Sequence, residues 1–244
     1  MEIKQQFGKW FMRQTAANWR TISLLRFEWQ AFGTRVLNRV SPTIRRTRRG
    51  LANRHHLSVN LGSGGRGREG WVNIDVVRRH KDITFPYDIR TGMPFLGSQV
   101  ARIFAEHVVE HVEFREDVPR LFRSMLYVLE PGGRVRIVVP DCERYLEAYV
   151  TRDPKQWEAL GVTTLPQDMP TYMAMVNHQF HQGGEHMFGY DFETLQFVLL
   201  EAGFAEVRKM SFGVSGDADL CLDREDHAKY SLYVEARKGR SESQ

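Results

Sequence analysis

The chain reads as an α/β protein, an open and mainly parallel sheet with helices on both faces, preceded by a helical extension. Three observations predict this. From residue 57 onward, short β-rich runs alternate with helical patterns. A glycine-rich turn, Gly62-Ser63-Gly64-Gly65-Arg66-Gly67, follows directly on the first of those runs. Charge also divides the 244 residues: 1–56 hold 12 Lys+Arg against 2 Asp+Glu, whereas 57–244 hold 22 against 28.

The elements follow in order. Phe7, Trp10, Phe11, Ile22, Leu25, Trp29, Phe32, Val36 and Val40 recur at helical spacing, as one long helix or two short ones. Ser41-Pro42 ends that pattern, and Arg45-Arg46 and Arg48-Arg49 fall in a polar linker that closes near His56. Leu57–Leu61, Trp71–Val76, Ile83–Tyr87 and Val100–Ala105 read as strands. Arg115–Leu129 carries apolar residues at 118, 121, 122, 125, 126 and 129 and reads as a helix stopped by Pro131-Gly132-Gly133. Arg134–Val139 is a strand, and helical stretches follow at Glu143–Val150 and Pro170–Phe180. Asp191–Ala202 is a helix ended by Gly203, with acids in its first turn where the helix dipole favours them. Ala205–Phe212 and Ser231–Ala236 close the sheet. The organisation is therefore a basic amphipathic extension and linker (1–56), an α/β domain (57–240), and a helical insert within it (142–190).

Composition narrows the class. Hydrophobic residues make up 42% and charged residues 26%, as in soluble globular proteins. Two cysteines far apart, Cys142 and Cys221, argue against a disulfide scaffold and fit a reducing compartment. No apolar run reaches the roughly 18 residues a membrane span needs. Met1-Glu2-Ile3-Lys4 lacks the apolar core of a signal peptide. The expected location is the cytoplasm, with peripheral contact at a membrane left open.

Gly62, Gly64 and Gly67 fit G-x-G-x-x-G, a pattern shared with dinucleotide sites. A dinucleotide fold needs a helix after the glycines and an acid about 20 residues on. Here Trp71 opens the next strand seven residues after Gly64, and Asp75 lies 13 after Gly62. The gap has no room for a crossover helix, which disfavours a nicotinamide-dependent oxidoreductase. An acid at the end of the second strand can still hold a ribose through its two hydroxyls, and Asp75 stands there.

Asn60–Asp75 resembles the opening of a group of bacterial class I S-adenosylmethionine-dependent methyltransferases (methyltransferase type 11-like) with the pattern "LNLGSG…GWVNID". Four later segments agree in order: Tyr87–Arg90 with Met93-Pro94-Phe95, Ile103–Val112, Leu126–Val139 with Leu129-Glu130-Pro131-Gly132-Gly133-Arg134, and Glu201-Ala202-Gly203-Phe204. The resemblance covers residues 57–236 and implies a Rossmann-like methyltransferase sheet. It implies that S-adenosylmethionine is the cofactor, with Asn60, Gly62 and Gly64 lining its methionine end. Asp75 would bind the ribose, Asp88 and Ile89 would flank the adenine, and Glu106 and His107 would lie under the sulfonium.

A hydroxyl acceptor also needs a base. His111, His178, His181 and Asp141 are the catalytic candidates, with His186 beside them in the insert; an imidazole titrates near neutrality. His107, Glu110 and His111 resemble the "ExxEH" segment of ubiquinone-pathway O-methyltransferases, which use a divalent cation, with His178 and His181 as further donors. His107 stands in place of the first glutamate there, and no metal ligands are assigned. The insert, with Tyr145, Tyr149, Trp157, Met169, Tyr172, Met173, Met175 and Phe180, is either a lid over the acceptor or a helical cover for the sheet.

The partner expected is a small-molecule or glycan acceptor, with O-methylation the favoured chemistry. The basic, Trp-rich extension packs on the domain or on another subunit, or lies on an anionic membrane surface. Nucleic acid is disfavoured because no binding motif accompanies the arginines. The alternative to an enzyme is a non-catalytic methyltransferase-like module in a membrane-associated assembly.

Overall fold

The computed structural model describes residues 19–77 and 80–240, with the side chains of residues 19 and 20 left out. Phe7, Trp10 and Phe11 of the expected extension lie outside the described residues. The described extension consists of α1 (Trp19–Val40) and α2 (Pro42–Ala52). The second helix corrects the polar linker expected over Arg45–Arg49. Ser41 ends one helix and starts the next: its hydroxyl accepts from the Ile44 N–H, and Pro42 occupies the first turn, where a missing N–H costs nothing. The α2 residues Ile44 and Leu51 join the main core.

Among the described residues, seven strands form one sheet in the order β3-β2-β1-β4-β5-β7-β6. They are β1 (Leu57–Leu61), β2 (Val72–Asp75), β3 (Phe85–Pro86), β4 (Val100–Glu106), β5 (Leu129–Pro140), β6 (Glu206–Met210) and β7 (Ser231–Arg237). All neighbours pair parallel except β7, which is antiparallel to both β5 and β6. The sheet is flanked by helices, as expected. The central strands are apolar on both faces, the mark of a parallel sheet covered on each side. Helix α3 (Asp117–Val128) buries Val118, Leu121, Phe122 and Met125 and leads directly into β5. Pro131-Gly132-Gly133 does not separate the two, because Leu129 already pairs with Val100 and the register then jumps to Arg134 against Arg102.

The insert is built from α4 (Cys142–Thr151), α5 (Pro154–Ala159) and α6 (Tyr172–His181). It has a core of its own, made of Tyr145, Ala148, Trp157, Leu160, Met175 and Val176. Most of its aromatic residues and methionines therefore pack on one another, although Met173 stays 45% exposed. Helix α7 (Phe192–Glu201) follows, with Asp191 as its N-cap. Cys142 is buried, Cys221 is exposed, and both are free thiols. Burial pushes the Cys142 thiol up to about 12, which makes it a poor nucleophile.

The two faces of α1 differ. Ala31 and Thr34 are fully buried. Thr34 donates to the Val76 carbonyl (3.1 Å), Asn38 to the Pro86 carbonyl (2.7 Å), and Arg35 pairs with Asp88 (3.2 Å). These contacts hold α1 against the β2–β3 edge. On the opposite side Leu25, Trp29, Phe32, Val36 and Val40 form an exposed apolar stripe at i, i+4, i+7, i+11 and i+15, with Trp29 77% exposed. No helix among the described residues is long and apolar enough to cross a membrane.

Candidate functional site

The strand order reverses between β1 and β4, so crevices open where the loops after these strands diverge. A cavity of about 470 Å³ lies there. Its walls come from four places: Gly62 after β1, Asp75–Val77 after β2, Tyr87–Arg90 after β3, and His107, Val108, His111 and Val112 after β4. Ser23, Leu24 and Phe27 of α1 close one side, and Gln182–Glu185 with Met187 form the rim. The volume falls within the roughly 300–1,000 Å³ of small-molecule sites.

Gly62 has φ +61°, and a Cβ added there would meet Val108 Cγ2 at 2.2 Å. The turn after β1 and the turn after β4 thus touch, and only a bare backbone fits. Gly62→Ala should cost about 1–3 kcal/mol of stability as well as ligand affinity, because both turns must shift. Chemical denaturation of the variant checks this, and wild-type stability would contradict it.

Asp75 is held from two sides. Its Oδ2 accepts from the Gly64 N–H (2.8 Å) and its Oδ1 from the Val77 N–H (2.7 Å). A carboxylate oxygen has two lone pairs, so each retains capacity toward the cavity. Asn60, expected at the cofactor, does not reach the cavity. It is buried, and its amide donates to the Arg66 carbonyl (3.3 Å) and to Asn73 Oδ1 (3.1 Å). Asn73 in turn accepts from the Arg68 N–H (2.8 Å) and donates to the Arg68 carbonyl (2.9 Å). The two asparagines clamp the glycine-rich loop in place. Gly64 is likewise not on the cavity wall; its N–H serves Asp75.

Ile89 and Asp88, expected to flank the adenine, line the cavity, but the Asp88 carboxylate is heavily engaged. Its Oδ1 accepts from the Arg90 backbone N–H (3.2 Å) and Nε (3.0 Å), and its Oδ2 from Arg90 and Arg35. Arg90 also pairs with Glu28 of α1 (2.5 Å). Burial works against the Arg90 charge, but the Asp88 and Glu28 carboxylates outweigh it and raise its pKa.

His107 lines the cavity in a left-handed conformation, φ +52°, unusual for a residue with a side chain. Its Nε2 lies 3.0 Å from Ser231 Oγ, and its ring sits 4.0 Å from that of His227. Glu106 does not reach the cavity. It turns to the loop before β7, where it accepts from the Arg224 N–H (3.0 Å).

Of the four catalytic candidates only His111 reaches the cavity. His178 and His181 stand on the exposed side of α6. Asp141 is 2% exposed and caps α4, accepting from the Arg144 N–H at 3.4 Å. Burial raises its pKa, so its folded-state value lies above the unfolded one. The sign follows: this group favours the fold below its unfolded pKa, and the advantage is lost as pH rises through the folded value. Asp141→Asn keeps a good cap without the buried charge. It should raise the melting temperature at pH 8 and leave it nearly unchanged at pH 4; equal shifts at both would refute that account.

The residue beside His111 is His186, which the sequence placed only among further candidates. Their ring centroids are 5.0 Å apart. Left-handed residues Gln182, Gly183 and Gly184 reverse the chain after α6. Met187 and Phe188 N–H groups then both donate to the Glu110 carbonyl (2.7 and 3.3 Å), and Phe188 stacks on Phe114 at 3.8 Å. The turn after β4 and the end of the insert are thereby joined.

No family model and no curated protein matches the chain. Among solved structures it is similar to a SAM-dependent methyltransferase of Thermotoga maritima (12% identity, 75% of this chain and 82% of that one, TM-score 0.45). A Methanosarcina mazei SAM-dependent methyltransferase gives 13% identity over 79% and 97% of the two chains, with TM-score 0.45. A Haemonchus contortus phosphoethanolamine N-methyltransferase in complex with S-adenosylmethionine gives 12% identity over 86% of this chain and 52% of that one, with TM-score 0.43.

Proposed function

We propose that the chain is a class I methyltransferase that binds S-adenosylmethionine in this cavity and transfers its methyl group to a hydroxyl of a small molecule or glycan. One observation carries the reading: the bare turn at Gly62 and the carboxylate of Asp75 face one cavity at the point where the strand order reverses. No helix forms among residues 62–71, so no helix N-terminus is present to bind a pyrophosphate, which favours an adenosyl ligand over a dinucleotide.

The cofactor's sulfonium supplies an already activated methyl group. The protein's own task is placement. Asp75 accepts from the ribose hydroxyls. Tyr87, Ile89 and Phe27 offer apolar walls for the adenine. His107 and Val108 border the sulfonium end, and the acceptor approaches by the rim at Gly183–Met187, where His111 is within reach. Calorimetric titration with S-adenosylmethionine, S-adenosylhomocysteine and NADH tests the class. Micromolar binding of both adenosyl ligands without NADH is expected, and NADH binding alone would overturn the reading.

The exposed stripe of α1 is read as a contact for an anionic bilayer. Its support is the stripe's Trp29 and Phe32 together with the excess of ten positive charges over residues 1–56. The protein should co-sediment with phosphatidylserine vesicles and lose this with Trp29→Asp. Equal sedimentation of the two proteins would remove the bilayer from the proposal.

A further inference from the structure

We propose that Glu110, His111 and His186 form a binding site for one divalent transition-metal ion beside the cavity, and that the acceptor's oxygen completes its coordination. The second half rests on the methyl-transfer reading above; the first does not.

The three residues bring one carboxylate and two imidazoles together, with a ligand atom of each within 4.8 Å of the others. Zinc-type bonds of about 2.1 Å need the ligands closer than this, so the three side chains draw in when the ion binds. The state of these atoms is the stronger argument. Glu110 is 1% exposed, and neither carboxylate oxygen has a hydrogen-bond partner among the described residues. Its Oε1 approaches His107 Nδ1 at 3.1 Å without hydrogen-bond geometry. His186 is 4% exposed, and its Nε2 is also without a partner. Buried polar atoms are rarely left so, and a bound cation would satisfy them all at once.

Each imidazole is already oriented as a ligand should be. His186 Nδ1 lies 2.8 Å from the Gln179 carbonyl, and His111 Nδ1 lies 3.0 Å from the Glu185 carbonyl. An Nδ1–H donated to a carbonyl fixes the tautomer and leaves Nε2 with its lone pair for a metal. Two nitrogens and one oxygen suit zinc, cobalt, nickel or iron rather than magnesium. Three protein ligands leave a coordination position open, the arrangement of catalytic rather than structural sites.

The ligand set is not the one that the Glu-x-x-Glu-His resemblance suggested. His107 turns to Ser231 and His227, and His178 and His181 stay outside; the insert supplies His186 instead. His111 lines the cavity, so an acceptor hydroxyl at the rim could bind the ion and lose its proton to water. The oxygen then attacks the methyl carbon. The carbon–sulfur bond breaks with its electron pair going to sulfur, giving a methyl ether and S-adenosylhomocysteine.

The test is titration of chelator-treated protein with Co²⁺, followed by its visible absorption and by displacement with Zn²⁺. Wild type should take up one ion per chain. Loss of even an outer-shell partner costs about 10–100-fold in affinity, so His186→Ala and Glu110→Gln should each lose at least about 100-fold. His178→Ala, outside the cluster, should match wild type. Circular dichroism confirms that each variant is folded, and His111→Ala serves where Glu110→Gln is not. No stoichiometric uptake by wild type, or unchanged uptake in two folded cluster variants, overturns the site. S-adenosylhomocysteine titration of the same samples separates the two claims: uptake of Co²⁺ without binding of the adenosyl ligand supports the site and removes the acceptor's role.

Discussion

Asp75→Ala should weaken S-adenosylmethionine binding by about 10–100-fold, the value of a hydrogen bond to a charged group. Two losses combine. On the proposed reading, the ribose hydroxyls lose a carboxylate acceptor. The Gly64 and Val77 N–H groups lose the oxygens that now hold them, at 2.8 and 2.7 Å, so the loop that shapes the cavity loosens. Asp75→Asn separates the two effects, since its amide oxygen can satisfy one N–H but carries no charge. Calorimetry on the three proteins decides the matter: affinity within twofold of wild type in the folded alanine variant would remove Asp75 from the cofactor site.

Arg136→Ala should destabilise the domain by about 3–5 kcal/mol, the cost of breaking a buried ion pair by removing one partner. The guanidinium is fully buried, and all of its donors are used. Nε and one terminal nitrogen bind Asp223 (2.7 and 2.5 Å), the other binds Glu235 (3.0 Å), and the Val214 and Ser211 carbonyls take the rest. Burial opposes the Arg136 charge, but Asp223 and Glu235 outweigh it and raise its pKa. Without the arginine, buried Asp223 keeps only the Gly213 N–H (2.8 Å), and Glu235 keeps the Gly216 N–H (3.0 Å) and a longer approach from Arg134 (3.7 Å). For a domain of this size the loss corresponds to roughly 10 °C in melting temperature. Arg136→Lys should recover little, because an ammonium cannot fork to two partners. A melting temperature within a degree or two of wild type would show that the network contributes nothing net.

The sheet was largely legible in the sequence, and the reasons are local. Leu57–Leu61 announces itself as a β-rich run that ends in glycine, and the expected and observed limits coincide. Helix α3 shows a strong apolar period because it has one buried face. Helix α2 was hidden because Ser41-Pro42 is both a stop and a start signal. Arg136 was hidden because alternation in a strand assigns charges to solvent, and only the loops at 211–223 bury it.

The cavity wall was legible where backbone chemistry dictates sequence, at Gly62 and Asp75. It was misjudged where a side chain's direction matters. Asn60 in β1 and Glu106 at the end of β4 belong to strands that end at the cavity, yet both side chains bond to neighbouring loops. Asn73 was overlooked although it holds the glycine-rich loop, since nothing in its spacing distinguishes a clamp from an ordinary strand residue. His178 and His181 share the exposed side of α6, while the reversal at Gln182–Gly184 carries His186 inward. The choice among the three histidines depended on backbone dihedral angles that no side-chain pattern encodes.

Helix α1 contributes Ser23, Leu24 and Phe27 to the cavity and is tied to the sheet by Arg35, Asn38 and Glu28, while its opposite side presents Leu25, Trp29 and Phe32 outward. One rigid rod therefore borders two compartments. A ligand that prefers the cavity with the rod seated stabilises the seated form in proportion to the logarithm of its concentration. Any surface that grips the outer side and prefers the same seating raises the affinity of the inner ligand, and linkage makes the two enhancements equal. Attachment at the outer side and occupancy of the cavity would therefore strengthen each other to the extent that both favour the same seating of this one helix.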